Sequence, residues 1–404
     1  MGAEPLRLIF FTHNVAYRGG AFFHGLGQAR SLAARGHEVT LVAISEDRRG
    51  SFEETTDGAV RIIHSPDLLK GQGRTGWDPW DALRRMKWLR GQKYDIAHAV
   101  DARPAVALPA LYARRATGAA VVADWTDWFG RGGTSAERTG LASKVIAPFE
   151  TYFEEHFHPR ADGNIAISRA LYDRAVSIGI PEDRLLRLPP GCDPDQIPLV
   201  DKHEARAKFG LPDDGVLIGY LGNIYQADAD LLSDAMQRIG HEHADARLLM
   251  IGSFRATMAP ELADSGRLLS SGYVEPEDLA GYLAACDFFV LPLNNTLANR
   301  GRWPSKINDY MAAARPTVST SVGDLATIFQ QADIGRLAQP EPEDLARALA
   351  TMIEERAAWE RQGATARHLA ETEYSWSHVG AALESFYQKT LHARERREDY
   401  ADVR

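Results

Sequence analysis

Continuously apolar runs alternate with helically spaced stretches along this chain. Leu6–Thr12 (LRLIFFT) predicts a strand covered on both faces. A loop, HNVAYRGGA, leads into Phe22–Arg35, whose apolar residues recur at helical spacing and stop at Gly36. His37–Ala43 (HEVTLVA) predicts the next strand, and this βαβ opening predicts a parallel sheet. Val60–His64, Tyr94–Val100, Ala119–Trp125, Gly163–Ile167 and Leu185–Leu188 read as further strands. Pro104–Arg115 and Arg169–Ile178 read as helices, the second capped by Ser168. Proline and glycine crowd PPGCDPD, around Cys192, which marks an interdomain hinge.

The same grammar then restarts. Val216–Gly222, Arg247–Gly252 and Asp287–Leu291 predict strands, with helices at Asp230–His241 and Glu277–Ala285. In Arg300–Ser321 the pattern reads loop, short helix, turn and buried strand. Ser305 is the expected N-cap, Ile307, Tyr310, Met311 and Ala314 follow at helical spacing, and Pro316 ends the helix before Thr317–Thr320. Helices follow from Glu343 onward. The expected fold class is α/β, with doubly wound domains.

Chain length, 404 residues, suits two or three such domains. A net charge of −9 argues against a nucleic-acid partner. Cys192 and Cys286 stand far apart, fit no disulfide or metal framework, and suit a reducing cytoplasm. No signal peptide is expected, because no apolar stretch follows a basic lead, and no run approaches the roughly 20 apolar residues of a membrane span. Peripheral membrane contact stays open through Trp77–Lys93. That stretch holds Trp77, Trp80 and Trp88 among the cations Arg84, Arg85, Lys87, Arg90 and Lys93. It reads either as an interfacial helix on anionic lipid or as a surface helix with one buried face.

Three places carry candidate chemistry. Lys306 opens the short helix, with Arg300 and Arg302 just upstream. Cations gathered at a positive helix end call for an anion, and phosphate is the usual one. Asp309, about one turn on, faces the same way and could accept from sugar hydroxyls. The plain alternative is a helix start with solvated charges. Gly19 and Gly20 precede the first helix, where amides face an anion, although the spacing is not the dinucleotide fingerprint. Asp124, Thr126, Asp127, Arg131, Gly130, Gly132 and Gly133 follow the Ala119–Trp125 strand, at the end where open α/β sheets bind ligands. That loop reads as a mobile lid with a charge-bearing Asp127, or as a cap stiffened by an Asp127–Arg131 pair. No metal ligand set is expected. Asp228 and Asp230 read as helix capping, and neither His156/His158 nor His241/His243 has ligand spacing.

Taken in order, these stretches resemble the GT-B glycosyltransferases, nearest the large retaining family four. The carriers are GGAFFHGLGQARSLAARGHEVTLV, YDIAHAVD, ADGNIAIS with RLLRLPPGCD, IGYLGN, LLMIG, GYVEPEDLAGYLAACDFFVLPL, PSKINDYMAAARPTVST and the closing YSWSHVGAALESFY. The resemblance implies two Rossmann-like domains facing a cleft: an acceptor domain over 1–193, a donor domain over 194–375, and a terminal helix over 376–404 crossing back. It implies a nucleotide-diphospho-sugar donor, transfer with retention, no cofactor and no metal. Tyr273 and Val274 would lie by the base, Asp309 at the ribose, and Lys306 with Gly20, Arg300 and Arg302 at the diphosphate. Asp124 and Asp127 would face the acceptor or the donor's sugar, and the acceptor would be a glycan, a lipid-linked sugar or a small molecule. The chain departs from the family pattern at Gly301 (a glutamate), Asn223 with its neighbours Ile224, Tyr225 and Gln226 (an Arg and a Lys), Thr126 (a histidine) and Ala314 (a glycine). The rival readings are a GT-B epimerase or phosphorylase, and a non-catalytic nucleotide-sugar binding subunit.

Overall fold

In the computed structural model, which describes residues 4–46, 50–69, 75–138 and 141–402, the chain divides into two compact α/β units. The first unit takes the chain up to Gly191, then Gly301–Trp303, then Trp376 onward; the second takes Cys192–Arg300 and Pro304–Ser375.

The first unit runs β1 (Arg7–Val15), α1 (Gly20–Ala34), β2 (Glu38–Ile44), β3 (Glu53–Asp57), β4 (Val60–Ser65), α2 (Pro79–Trp88), β5 (Ile96–Val100), α3 (Pro104–Thr117), β6 (Ala120–Trp125), α4 (Thr134–Glu137), α5 (Leu141–Phe157), β7 (Gly163–Ala166), α6 (Arg169–Ser177) and β8 (Leu185–Arg187). Its sheet has the order β3-β4-β2-β1-β5-β6-β7-β8 and is parallel except for the β3–β4 hairpin. The continuously apolar strands sit at its centre because helices cover both faces. On one face, Phe10, Leu41 and Val122 pack with Phe22 and Leu26 of α1 and with Leu383 and Tyr387 of a C-terminal helix. On the other, Ile9, Phe11 and Val121 pack with Leu89 at the end of α2, Val106 and Ala110 of α3, and Phe153 and Phe157 of α5. The edge strand β3, EETTD, has no apolar face, so the hydrophobic pattern gave no sign of it.

The second unit continues with α7 (Lys202–Phe209), β9 (Val216–Leu221), α8 (Gln226–Ile239), β10 (Ala246–Ile251), α9 (Pro260–Asp264), β11 (Leu268–Ser270), α10 (Pro276–Ala285), β12 (Phe288–Leu291), α11 (Leu297–Gly301, whose last residue belongs to the first unit), α12 (Lys306–Ala312), β13 (Thr317–Thr320), α13 (Leu325–Gln331), β14 (Gly335–Ala338), α14 (Pro342–Glu354) and α15 (Trp359–Glu371). α16 (Trp376–Asp402) returns to the first unit. The second sheet is parallel throughout, in the order β11-β10-β9-β12-β13-β14. The two outer strands, three and four residues long, are only partly buried, and the sequence pattern passed over both.

Some boundaries differ from expectation. Residues 297–301 form a short helix where a loop was expected. α8 starts at Gln226 with Tyr225 at the N-cap position, so Asp228 lies in its first turn, where an acid favours the dipole, and Asp230 lies further inside. Ser168 does cap α6, its Oγ accepting from the Leu171 amide at 3.2 Å. Among the described residues no helix is long and apolar enough to cross a membrane.

Candidate active site

In the second unit the candidate residues gather beyond the carboxyl ends of β9, β10 and β11, as open parallel sheets dictate. Gly222, Gly252 and Gly272 end these strands with φ of 70°, 92° and 66°, values that glycine adopts without strain. They let two loops close up: a Cβ on Gly252 would lie 3.6 Å from the Gly222 Cα. Lys306 opens α12 and donates from Nζ to the Asn223 carbonyl at 2.8 Å, with its ammonium 5.0 Å from the Tyr220 ring centroid. Asn223 is thus part of the lysine's cradle, and its side-chain oxygen accepts from the Arg255 amide at 3.2 Å.

Tyr310 explains why α12 stands where it does. Its ring stacks on Phe289 of β12 at 3.9 Å, and its hydroxyl accepts from the Leu221 amide at 2.9 Å. A buried aromatic pinned to two strands fixes the helix start, and hence Lys306 and Asp309. Burial pushes the Asp309 carboxyl up to about 7, against the opposing charge of Lys306. Tyr273 and Val274 follow the Gly272 turn, and Tyr273 is 73% exposed, an open aromatic face.

One expected member of this group is engaged elsewhere. Arg300 donates to the Asn295 side chain at 2.6 Å and lies with α11. Ser305 takes the expected N-cap position of α12, but with helical backbone angles and without a side-chain capping hydrogen bond. Asp228 is buried at the start of α8. Its Oδ1 accepts from the Asn294 amide at 2.9 Å and from the Asn294 side chain at 3.0 Å, holding the β12 loop.

In the first unit the loops after β1, β5 and β6 and the start of α1 carry the chemistry. Gly19 has φ of 81°, and a Cβ there would strike Asn14 at 2.7 Å. Asn14 Oδ1 accepts from the Phe22 amide at 3.2 Å, which shapes the turn into α1. A Cβ on Gly20 would meet nothing within 4 Å, and no acidic residue stands in the first turn of α1.

Asp124, expected to face the acceptor or the sugar, is enclosed instead. Strand alternation turns it toward α1 and α16, where it is fully buried. It accepts from the His24 Nε2 at 2.8 Å and the Gln28 side chain at 2.8 Å, and lies 3.2 Å from His98 Nε2. His98 Nδ1 in turn lies 2.6 Å from the Tyr387 hydroxyl of α16. Burial alone would raise the Asp124 pKa, but the two imidazoles hold it far below the usual carboxylate range. His24, whose charge burial disfavours, is raised by Asp124.

Asp127 is half-buried, and burial raises its pKa against the pull of Arg302, Arg103 and Arg138. Arg302 therefore acts on Asp127 within the first unit. Arg131 does not pair with Asp127: its Nε lies 3.4 Å from Glu155. Nor does the structure account for the loop glycines by mobility. Gly130 donates to Glu154 at 2.6 Å, a Cβ on Gly133 would come within 2.0 Å of the Trp128 carbonyl, and Thr134 and Ser135 stitch back to Trp128 and Phe129. Close packing is what Gly130 and Gly133 need, while exposed Gly132 has φ of 78°.

The hydrophobic pattern passed over a second polar group beneath this loop. Asp101, with φ of 68°, accepts from the Thr126 hydroxyl at 2.7 Å, and its other oxygen lies 3.4 Å from His13 Nδ1. Burial and the neighbouring Asp127 push Asp101 up to about 7, while burial and Arg103 hold His13 well below its ordinary value. Asp101, Arg103, Glu150, Glu154 and His158 line a cavity walled by Trp77, Trp125 and Phe129. The strand-end argument that selected Asp127 after β6, applied to β1 and β5, would have selected His13 and Asp101. His24 was legible as the residue one turn beyond Gly20. Gly301, where the resemblance places a glutamate, has room for none: a Cβ would come within 2.7 Å of Trp128, and its carbonyl accepts from Ser168 Oγ at 2.7 Å.

Two family profiles match the chain: Glycosyltransferase Family 4 over residues 18–196, and Glycosyl transferases group 1 over residues 215–355. A D-inositol 3-phosphate glycosyltransferase of Stackebrandtia nassauensis is 27% identical over 228 residues, 52% of this chain and 50% of that protein. The chain's match therefore spans half the length of that relative. Among solved structures, sucrose-phosphate synthase from Thermosynechococcus elongatus superposes with a TM-score of 0.74 at 15% identity, covering 96% of this chain and 100% of the other. HepE from Anabaena in complex with UDP-glucose gives 0.67 at 15% identity, over 96% and 100%. With one profile on each unit and the fold of these neighbours, the chain belongs to the GT-B glycosyltransferases of the family-four type.

Proposed function

We propose that this protein transfers a sugar from a nucleotide-diphospho-sugar to an acceptor hydroxyl, with retention at the anomeric carbon and without a metal ion. The observation that carries the reading is Lys306, held by the Asn223 carbonyl at 2.8 Å beside Asp309, beyond the carboxyl ends of a parallel sheet. The leaving nucleoside diphosphate gains charge as its bond to the sugar breaks. A fixed ammonium stabilises that state more than the ground state. Asp309 would accept from the ribose hydroxyls, Tyr273 and Val274 would flank the base, and Gly20 would present the start of α1 to a phosphate. Asp127, with Arg302 beside it, would serve the acceptor hydroxyl. The capture of Asp228 by Asn294 supports a metal-free reaction, because it withdraws one carboxylate of the D-x-D pair.

Lys306→Ala tests this. Nucleoside-diphosphate binding should weaken by about 1.5–3 kcal/mol, the worth of a hydrogen bond to a charged group, while nucleoside binding stays nearly unchanged. Titration calorimetry with both ligands decides it, and equal losses for the two would overturn the assignment. The steric exclusion of a glutamate at Gly301 favours a second reading, a nucleotide-sugar binder without turnover. Binding that never consumes the donor, in the presence of any acceptor, would favour that one.

A further inference from the structure

The helices α2, α3 and α5 lie side by side on one face of the first sheet, sharing a single core with it. Contacts across them fix the layer. Arg103 at the start of α3 lies 3.3 Å from Glu150 of α5, and Arg90 just after α2 reaches the Tyr112 hydroxyl of α3 at 3.3 Å. The sides of these helices that point away from the sheet are unusually apolar for a surface. Trp80 and Leu83 stand out from α2, Leu108 from α3, and Val145, Phe149 and Tyr152 from α5; Leu83, Val145, Phe149 and Tyr152 are each more than half exposed. On α5 these positions recur at i, i+4 and i+7, one stripe of a helix. A stripe that could have been polar at no structural cost marks an interaction face.

Charge is sorted on the same three helices. Every described acid on them turns inward or is paired: Asp81 with buried Arg85 at 2.7 Å, Glu150 with Arg138, Glu154 with the Gly130 amide, and Glu155 with Arg174. Lys87, Arg90, Arg115 and Lys144 point out. A chain with a net charge of −9 thus presents a face that is both apolar and cationic. From this we infer that the outer face of α2, α3 and α5 docks on a membrane surface of anionic lipid. Aromatic and aliphatic side chains would enter the headgroup boundary while the lysines and arginines meet lipid phosphates. The basic and aromatic run at Trp77–Lys93 is thereby one third of a larger surface, with Arg85 removed from it by its buried pairing. The inference stands independently of the proposed transfer reaction.

The test is flotation of the full chain with phosphatidylcholine vesicles, with and without phosphatidylglycerol. The protein should float with the anionic vesicles, stay behind with the neutral ones, and be released by salt. Two variants probe the two components: Lys87→Glu/Lys144→Glu, and Phe149→Ser/Tyr152→Ser. Each should cut the bound fraction at least about 10-fold, the first by reversing two surface cations and the second by removing two aromatic anchors. Unchanged thermal melting would show that the fold is intact. Failure of the wild-type chain to float with anionic vesicles overturns the inference. So does flotation that both folded variants retain, or retention on a soluble polyanion such as RNA without any vesicle binding.

Discussion

Glu154 links one residue to the pH dependence of stability. Burial pushes its carboxyl up to about 8, although the Gly130 amide and Arg174 oppose the rise. Between its ordinary pKa and that value the folded state holds a proton that the unfolded chain has lost. Its contribution to stability is therefore complete in acid and is lost as pH rises through about 8. Glu154→Gln should melt above the wild type at about pH 9, with the gap closing toward about pH 5. Thermal scans at the two pH values check this. Asp127 belongs to the same scale. Its carboxyl is influenced by Arg302, Arg103 and Arg138, and Arg131 is committed elsewhere. Asp127→Ala should keep nucleotide binding within a few-fold and lower sugar transfer by roughly 10²-fold, the scale of a positioned acid–base group. If transfer persists and only the melting temperature falls, Asp127 is scaffolding.

Among elements, α1 and α16 cross at close quarters, a closeness that the sequence did not reveal. A Cβ on Gly27 would come within 2.2 Å of the Trp376 ring, and one on Gly380 within 2.8 Å of Ser31 Oγ. Glycine inside a helix normally costs about 1 kcal/mol relative to alanine. Here it is required by close approach. Gly27→Ala should thus destabilise by about 1–3 kcal/mol despite its better helix propensity, because overpacking outweighs propensity. Urea unfolding measures this, and a stabilised variant would show that α16 can move away at little cost. Helix α12 illustrates the opposite case. Its periodicity was plain in the sequence, and its buried Tyr310 fits the predicted inner face. Ser305 holds the expected N-cap position without a side-chain capping bond, and the turn there is already helical: the Ile307 amide bonds the Pro304 carbonyl at 2.9 Å.

At the scale of the whole molecule the proposed chemistry predicts turnover that survives EDTA. Lys306, held on the Asn223 carbonyl, would neutralise the diphosphate, and Asp228 holds the β12 loop. Loss of transfer on chelation, restored by Mn²⁺ or Mg²⁺, would reject the metal-free reading. The division into two units also gives the candidate residues separate homes. Lys306, Asn223, Asp309, Tyr273 and Val274 belong to the second unit; Gly19, Gly20, Asp124, Asp127 and Arg302 belong to the first.

The sequence by itself determined the succession of strands and helices, because period and turn chemistry are local properties of a few consecutive residues. It also determined the family, through short motifs whose order along the chain is readable without coordinates. It could not find strands lacking an apolar face, such as β3, nor strands of three or four residues, such as β11 and β14. Only the tertiary structure decided which way Asp124 points. Asp124 and Asp127 lie three residues apart at one strand end, yet the first is clasped between two histidines and the second stands half-buried beside Arg302. The same holds for Asp101, His13 and Glu154, whose altered acidities come first from burial by elements distant in sequence. Burial and long-range pairing depend on which elements pack together, and no stretch of sequence contains that information alone.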